Sequence, residues 1–148
     1  MELRDYVESY YRHWFHIEQI YVQWAQRHGI QANVLFALQS LYHAEEGQTQ
    51  QEICKKLSMP KQTVSFFLQS LEREGLVCRR EDPADRRRKL VLLTEAGRRE
   101  TAPLVEEMEA AEQAAYGSLN EKQRRAVDQG LRLLAQALEK SFLEKTEK

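Results

Sequence analysis

The residues best equipped for chemistry in this 148-residue chain lie together between Asp85 and Thr94, as Asp-Arg-Arg-Arg-Lys-Leu-Val-Leu-Leu-Thr. Four consecutive cations, Arg86, Arg87, Arg88 and Lys89, run into the apolar segment Leu90–Leu93, which Thr94 closes. Such a run repels itself unless something anionic faces it. Guanidinium groups suit phosphate oxygens and a narrow, electronegative minor groove. From Thr49 to Thr94 there are ten Lys/Arg against six Asp/Glu, while the chain as a whole carries a net charge of −1. A basic middle between acidic flanks is the charge footprint of a local anion-binding face. On charge alone, a solvated patch would read the same way.

Other reactive residues are sparse. Cys54 and Cys78 have neither metal-ligand spacing nor the pattern of a disulfide framework. Cys54 falls on the inward side of a short helix and reads as a small core residue. Cys78 precedes Arg79 and Arg80, cations that could favour a thiolate and make it a redox sensor. His13 and His16, one turn apart, are the one spacing that hints at a metal, and surface histidines on a helix explain it better. No metal site or cofactor is expected. The chain has no glycine-rich phosphate loop, nucleophile elbow or His-Glu-x-x-His motif, so catalysis is not expected either.

The elements that must carry the basic loop follow from periodicity and punctuation. From Asp5 to about Arg27, Val7, Tyr10, Tyr11, Trp14, Ile17, Tyr21 and Trp24 recur at steps of three and four, giving a long helix with an aromatic stripe that ends at His28-Gly29. A second helix covers Asn33 to about His43. Thr49-Gln50-Gln51-Glu52 is a capping box and opens a short helix with Ile53, Cys54 and Leu57 inward. After the turn Ser58-Met59-Pro60, a helix from Lys61 to Glu74 buries Val64, Phe67, Leu68 and Leu71 and stops at Gly75. Its opposite face carries Gln62, Ser65, Phe66, Gln69 and Arg73. Such amides and hydroxyls read base edges when a second helix enters a major groove. Phe66 is the odd member: it either contacts thymine methyls or covers part of the domain.

Leu76–Glu81 and Leu90–Leu93 pair as a hairpin around Asp82-Pro83-Ala84-Asp85 and the arginines. Two long helices follow, one from Thr94-Glu95 and one capped by Asn120-x-x-Gln123. The predicted fold is mainly α with a small β-hairpin wing: a winged helix–turn–helix at 31–98, flanked by helices at 1–30 and 99–148. Neither terminal helix can bury its stripe on so small a domain, which implies homodimerisation through both ends. No apolar run approaches the roughly 20 residues that span a bilayer, and the first residues form no signal peptide. The expected setting is the cytoplasm, away from any membrane.

The order of elements resembles the MarR family of bacterial transcription regulators, over essentially the whole chain. Its most specific match is Asp-x-Arg followed by five residues and Leu-Thr, here Asp85, Arg87, Leu93 and Thr94. Thr63-Val64-Ser65 and Leu71-Glu72-Arg73-Glu74-Gly75-Leu76-Val77 agree more weakly, being shared by winged helices in general. The resemblance implies a homodimer whose recognition helices enter successive major grooves of a pseudo-palindromic operator while its wings reach the minor grooves. Arg87 would then be the minor-groove arginine, and Asp85 would hold the wing loop through ion pairs. Two departures stand out: Ser58 and Pro60 replace the usual glycine and serine of the recognition turn, and Phe66 stands where an arginine or similar polar residue is common.

The sequence therefore predicts a regulator of transcription, a repressor binding double-stranded DNA. Gln62, Thr63, Ser65, Phe66 and Gln69 are the major-groove candidates, with Arg73 on the same face. Arg86, Arg88, Lys89, Lys55, Lys56 and Lys61 are expected at phosphates. The resemblance also implies a small aromatic effector, phenolic or otherwise planar, near Trp14, Ile17, Tyr21, Trp24, Asn33 and Phe36. The alternatives are a winged-helix module that docks proteins through acidic terminal helices, or a thiol- or metal-sensing regulator of the same fold.

Overall fold

The computed structural model describes residues 2–144. It contains six helices and three short strands in the order α1 (Leu3–Arg27), α2 (Ala32–His43), β1 (Gln48–Thr49), α3 (Gln50–Leu57), α4 (Lys61–Arg73), β2 (Val77–Glu81), β3 (Lys89–Leu93), α5 (Glu95–Gly117) and α6 (Glu121–Leu143). The described residues divide into two compact units, one running to Val105 and the other starting at Glu106, with α5 contributing to both.

Helix ends set the course of the first unit. At the end of α1, Gly29 takes φ +71° while its N–H donates to Gln26 O and the N–H of Ile30 donates to Ala25 O. Gly75 ends α4 identically, with φ +75° and bonds from Gly75 N to Glu72 O and Leu76 N to Leu71 O. Both are Schellman closures, for which glycine carries no Cβ penalty. α3 closes the same way without glycine: Ser58 adopts φ 51° and ψ 44°, and Met59 N donates to Cys54 O. A serine in the left-handed region is strained by roughly 1 kcal/mol. The helix after it starts at Pro60, which has no side chain to cap the first amides.

The expected capping box at α3 is formed: Thr49 Oγ1 accepts from Glu52 N at 3.1 Å and Glu52 Oε2 accepts from Thr49 N at 2.8 Å. The hairpin gains a strand beyond the expected two. β1 pairs antiparallel with β3, Gln48 opposite Val91 and Thr49 opposite Leu90, so the sheet order is β1-β3-β2. In the wing, Val77 faces Leu93 and Glu81 faces Lys89. Packed beneath are Leu41, Ile53, Val64, Leu68, Val77 and Val91, all essentially buried, with Cys54 and Leu57 partly buried against them. Thr94 then ties sheet to helix. Its N–H donates to Leu76 O, its hydroxyl donates to Gly75 O at 2.6 Å, and the same oxygen accepts from Gly97 N at 2.9 Å as the N-cap of α5.

In the second unit α5 ends at Gly117 and α6 begins after Asn120. There the Asn120 and Gln123 side chains accept from each other's backbone N–H groups at 2.9 Å, the second capping box read from the sequence. No α6 side chain is buried within the chain, and Leu131, Leu133, Phe142 and Leu143 stand exposed. On α1, Tyr6, Val7, Tyr11, Trp14, Phe15 and Ile17 are exposed as well.

Candidate nucleic-acid interface

The basic loop between β2 and β3 is short, and two aspartates shape it. Asp82 N donates to Arg88 O at 3.0 Å, closing the hairpin, and Asp82 Oδ1 accepts from Ala84 N at 2.9 Å. Asp85 N donates to Asp82 O, and Arg88 N donates to Asp85 O at 2.9 Å. These are two consecutive four-residue turns, each begun by an aspartate able to bond its own backbone two residues on. The Asp85 carboxylate accepts from Arg87 N and Arg87 Nε, both at 3.1 Å, and from Arg87 Nη2 at 3.4 Å. The guanidinium bond first, and the backbone bond second, hold the Asp85 carboxyl below the usual aspartate range.

Arg87 is thereby aimed without being consumed. Its side chain is 91% exposed, and so open an ion pair is worth little in water. Its guanidinium can accordingly exchange a carboxylate for a stronger anionic surface. Arg86 is exposed, and Lys89 lies 3.6 Å from Glu81 across the hairpin. Arg88, expected at phosphates, is occupied differently: Nη2 donates to Glu52 Oε1 at 3.0 Å and Nε lies 3.8 Å from Asp82 Oδ2.

On α4, Lys61, Gln62, Thr63, Phe66, Gln69 and Arg73 are exposed and Ser65 is half-buried. Lys55 and Lys56 are exposed in the last turn of α3. Phe66 is 74% exposed and also lines the rim of a cavity, so both uses considered for it remain physically available. Helices and hairpin are tied by side chains remote in sequence. Arg79 of β2 donates to Glu72 of α4 and, at 3.2 and 3.3 Å, to Gln50 Oε1 of α3. Gln50, Glu52, Arg79 and Asp82 thus brace the candidate interface, and sequence reasoning passed over these roles. Glu52 carried a local signal as a cap, but nothing marked its partner 36 residues away.

The cavity, about 660 Å³, is bounded by the α1–α2 turn, α4 and the first turns of α5, including Ile30, Val34, Phe67, Leu71, Thr101 and Leu104. Of the six residues expected near an effector, only Asn33 lines it. Trp14 and Ile17 lie exposed on α1. Tyr21 packs on Phe36 with ring centroids 5.3 Å apart, and Trp24 on His28 at 4.0 Å. Helix-to-helix and within-helix packing uses these aromatics, because helical periodicity marks an apolar stripe without saying what it meets.

His13 and His16 are exposed on α1, and among the described residues no three His, Cys, Asp or Glu side chains group as a metal site. Cys78 is exposed on β2, while Arg79 and Arg80 pair with Glu72 and Glu46. None of the described helices is long and apolar enough to cross a membrane.

A short capped helix, a turn, a second helix with a polar outer face and a hairpin tipped with arginine define a winged helix–turn–helix protein. Residues 28–88 match the MarR family. The chain is 34% identical over 97 residues to the uncharacterized HTH-type transcriptional regulator YdgJ of Bacillus subtilis (strain 168), covering 66% of this chain and 58% of that relative's length. Among solved structures it resembles NMB1585, a MarR family regulator from Neisseria meningitidis, with TM-score 0.78 and 29% identity over 99% of this chain and 100% of the other. It also resembles the S. aureus MepR–DNA complex, with TM-score 0.72 and 27% identity over 93% and 99% of the two chains. The family match over residues 28–88 and these likenesses support a place in the MarR family of winged-helix transcriptional regulators.

Proposed function

We propose that this protein regulates transcription by binding a pseudo-palindromic operator as a homodimer and that it acts as a repressor. The observation that carries the reading is Arg87, held at its base by Asp85 yet almost wholly exposed, on a hairpin tied through Arg79 and Arg88 to both helices of the helix–turn–helix. Gln62, Thr63, Ser65, Phe66 and Gln69 serve the major groove, with Arg73 beside them. Lys55, Lys56, Lys61, Arg86 and Lys89 serve phosphates, and Arg87 the minor groove. The MepR structure, which is of a complex with DNA, supports the assignment by similarity. Dimerisation is supported by the exposed aromatic face of α1 and the exposed leucines of α6, more apolar surface than a monomer leaves in water.

The cavity beside α4 is the place for an effector, since its volume falls within the range of ligand pockets. Its lining mixes apolar side chains such as Ile30, Val34, Phe67 and Leu104 with the polar Gln31, Asn33, Thr63 and Ser70, and it includes Glu74 and Glu100 but no Lys or Arg among the described lining residues. That charge favours a planar neutral or cationic molecule over an aromatic acid.

The test is fluorescence anisotropy with DNA from upstream of the protein's own gene and with scrambled DNA, across a salt series. About 6 phosphate contacts predict a log–log slope near −5 for the operator. Equal, shallow binding to both DNAs would refute operator recognition and favour a protein-docking module. Sedimentation at matched concentration decides the dimer. Titration of the complex with planar cations and with aromatic acids decides the effector's charge.

A further inference from the structure

Arg88 differs from its neighbours in where its charge goes. Glu52 presents one carboxylate oxygen to Thr49 N at 2.8 Å and the other to Arg88 Nη2 at 3.0 Å, so a single side chain caps α3 and grips the far end of the wing loop. On the other side of the guanidinium stands Asp82, whose side chain is only 13% exposed and whose second oxygen holds Ala84 N. Through its backbone, Arg88 also closes the second wing turn and the hairpin: its N–H donates to Asp85 O, and its carbonyl accepts from Asp82 N. Among the described residues, Arg87 has no such tether beyond its own loop.

We propose that Arg88 is a positioning residue and not a phosphate ligand: clamped between Glu52 and Asp82, it locks the loop that carries Arg87 to the first helix of the helix–turn–helix. Wing and helices then meet DNA as one preorganised body, and the ordering entropy of the loop is spent on folding, before binding. The clamp also keeps an acidic residue close to the binding face. Uncompensated, the Glu52 carboxylate would repel phosphate; paired with Arg88, it adds no net charge there. The inference rests on the operator-binding reading for its consequence, but the clamp itself is a property of the free protein.

Two substitutions separate the roles. Glu52→Gln retains an N3 side-chain oxygen for the capping box and removes only the charge that holds Arg88. Arg88→Ala removes the other half. In DNA-free protein, amide hydrogen exchange across residues 84–88 should accelerate in each variant, and the double variant should exchange no faster than Arg88→Ala alone. Unchanged exchange in Arg88→Ala would overturn the clamp whether or not the protein binds DNA.

In the anisotropy series, each variant should weaken operator binding by about two- to fivefold, the scale of one partly exposed ion pair, while the salt slope stays at the wild-type value. A slope lower by about 0.9 per lost contact in Arg88→Ala would make it a phosphate ligand after all. Tighter binding by Glu52→Gln would show that the carboxylate only repels DNA and would sink the proposal. Wild-type protein that binds no operator would fail the operator reading instead, with the exchange data still deciding the clamp.

Discussion

Gly97 carries a requirement that is severe and specific. A Cβ placed there would stand 1.8 Å from Leu76 O, 2.7 Å from Leu76 C and 3.0 Å from Leu76 Cα, all backbone atoms. The carbonyl cannot retreat freely, because Leu76 O accepts from Thr94 N and Leu76 N donates to Leu71 O in the closure of α4. Gly97→Ala must therefore move the start of α5 away from the β2 entry. Forcing a methyl into a filled site costs about 1–3 kcal/mol, and weakening the Thr94–Leu76 bond adds about 1 kcal/mol. Alanine's better helix propensity returns about 1 kcal/mol. The net expectation is a loss of roughly 1–3 kcal/mol, or about 2–12 °C in Tm for a chain of this size. Thermal unfolding followed by circular dichroism at fixed protomer concentration measures it, since a dimer's Tm depends on concentration. An unchanged or raised Tm would show that α5 does not approach Leu76 as described and would remove the argument that Thr94 and Gly97 together join wing to helix.

The remaining expectations concern single side chains. Arg87→Ala should weaken operator binding by about 1–3 kcal/mol and leave thermal stability nearly untouched, since among the described residues it pairs with Asp85 in the same exposed loop; anisotropy and melting on the same preparation check both halves. Ser58→Gly should stabilise by about 0.5–1 kcal/mol in urea unfolding, relieving a left-handed serine at a small cost in chain entropy; a destabilised variant would mean the serine hydroxyl matters more than the backbone. Glu52 titrates below its ordinary value of 4.5, first through the backbone bond to Thr49 and then through the Thr49 hydroxyl and Arg88. A lowered carboxyl contributes stability that is present above that value and is lost as pH falls through the folded pKa. The stability gap between wild type and Glu52→Gln should therefore narrow below pH 4.5, and a gap constant down to pH 3 would assign the effect to something other than this charge.

What the sequence disclosed and what it concealed divide along the chain distance of the interaction. The capping boxes at Thr49 and Asn120 and the Asp85–Arg87 pair each join residues two or three apart, so residue type and spacing state them in full. Helical stripes were equally legible, because a period of 3.6 is a property of one segment. The strand Gln48–Thr49 was not, since two polar residues carry no alternation, and they pair only because Leu90 and Val91 pass beside them. Gly97 looks like an ordinary helical glycine until Leu76, 21 positions earlier, is placed against it.

The arginine run shows why this distinction matters for function. Arg86, Arg87 and Arg88 are chemically identical and adjacent, so residue type alone does not separate them; the family resemblance sets Arg87 apart and leaves Arg86 and Arg88 sharing one expected task at phosphates. Their surroundings differ: Arg87 is turned back on Asp85 within the loop, whereas Arg88 reaches Glu52 on another element. A guanidinium that spans two elements stabilises their relative placement, and one bonded only within its own exposed turn contributes little to it. The residue most able to leave its protein partner for DNA is therefore Arg87, and the residue whose departure would loosen the wing is Arg88. On the proposed reading, charge would draw DNA to this face, and the carboxylates Asp82, Asp85 and Glu52 would set which arginine is available to meet it.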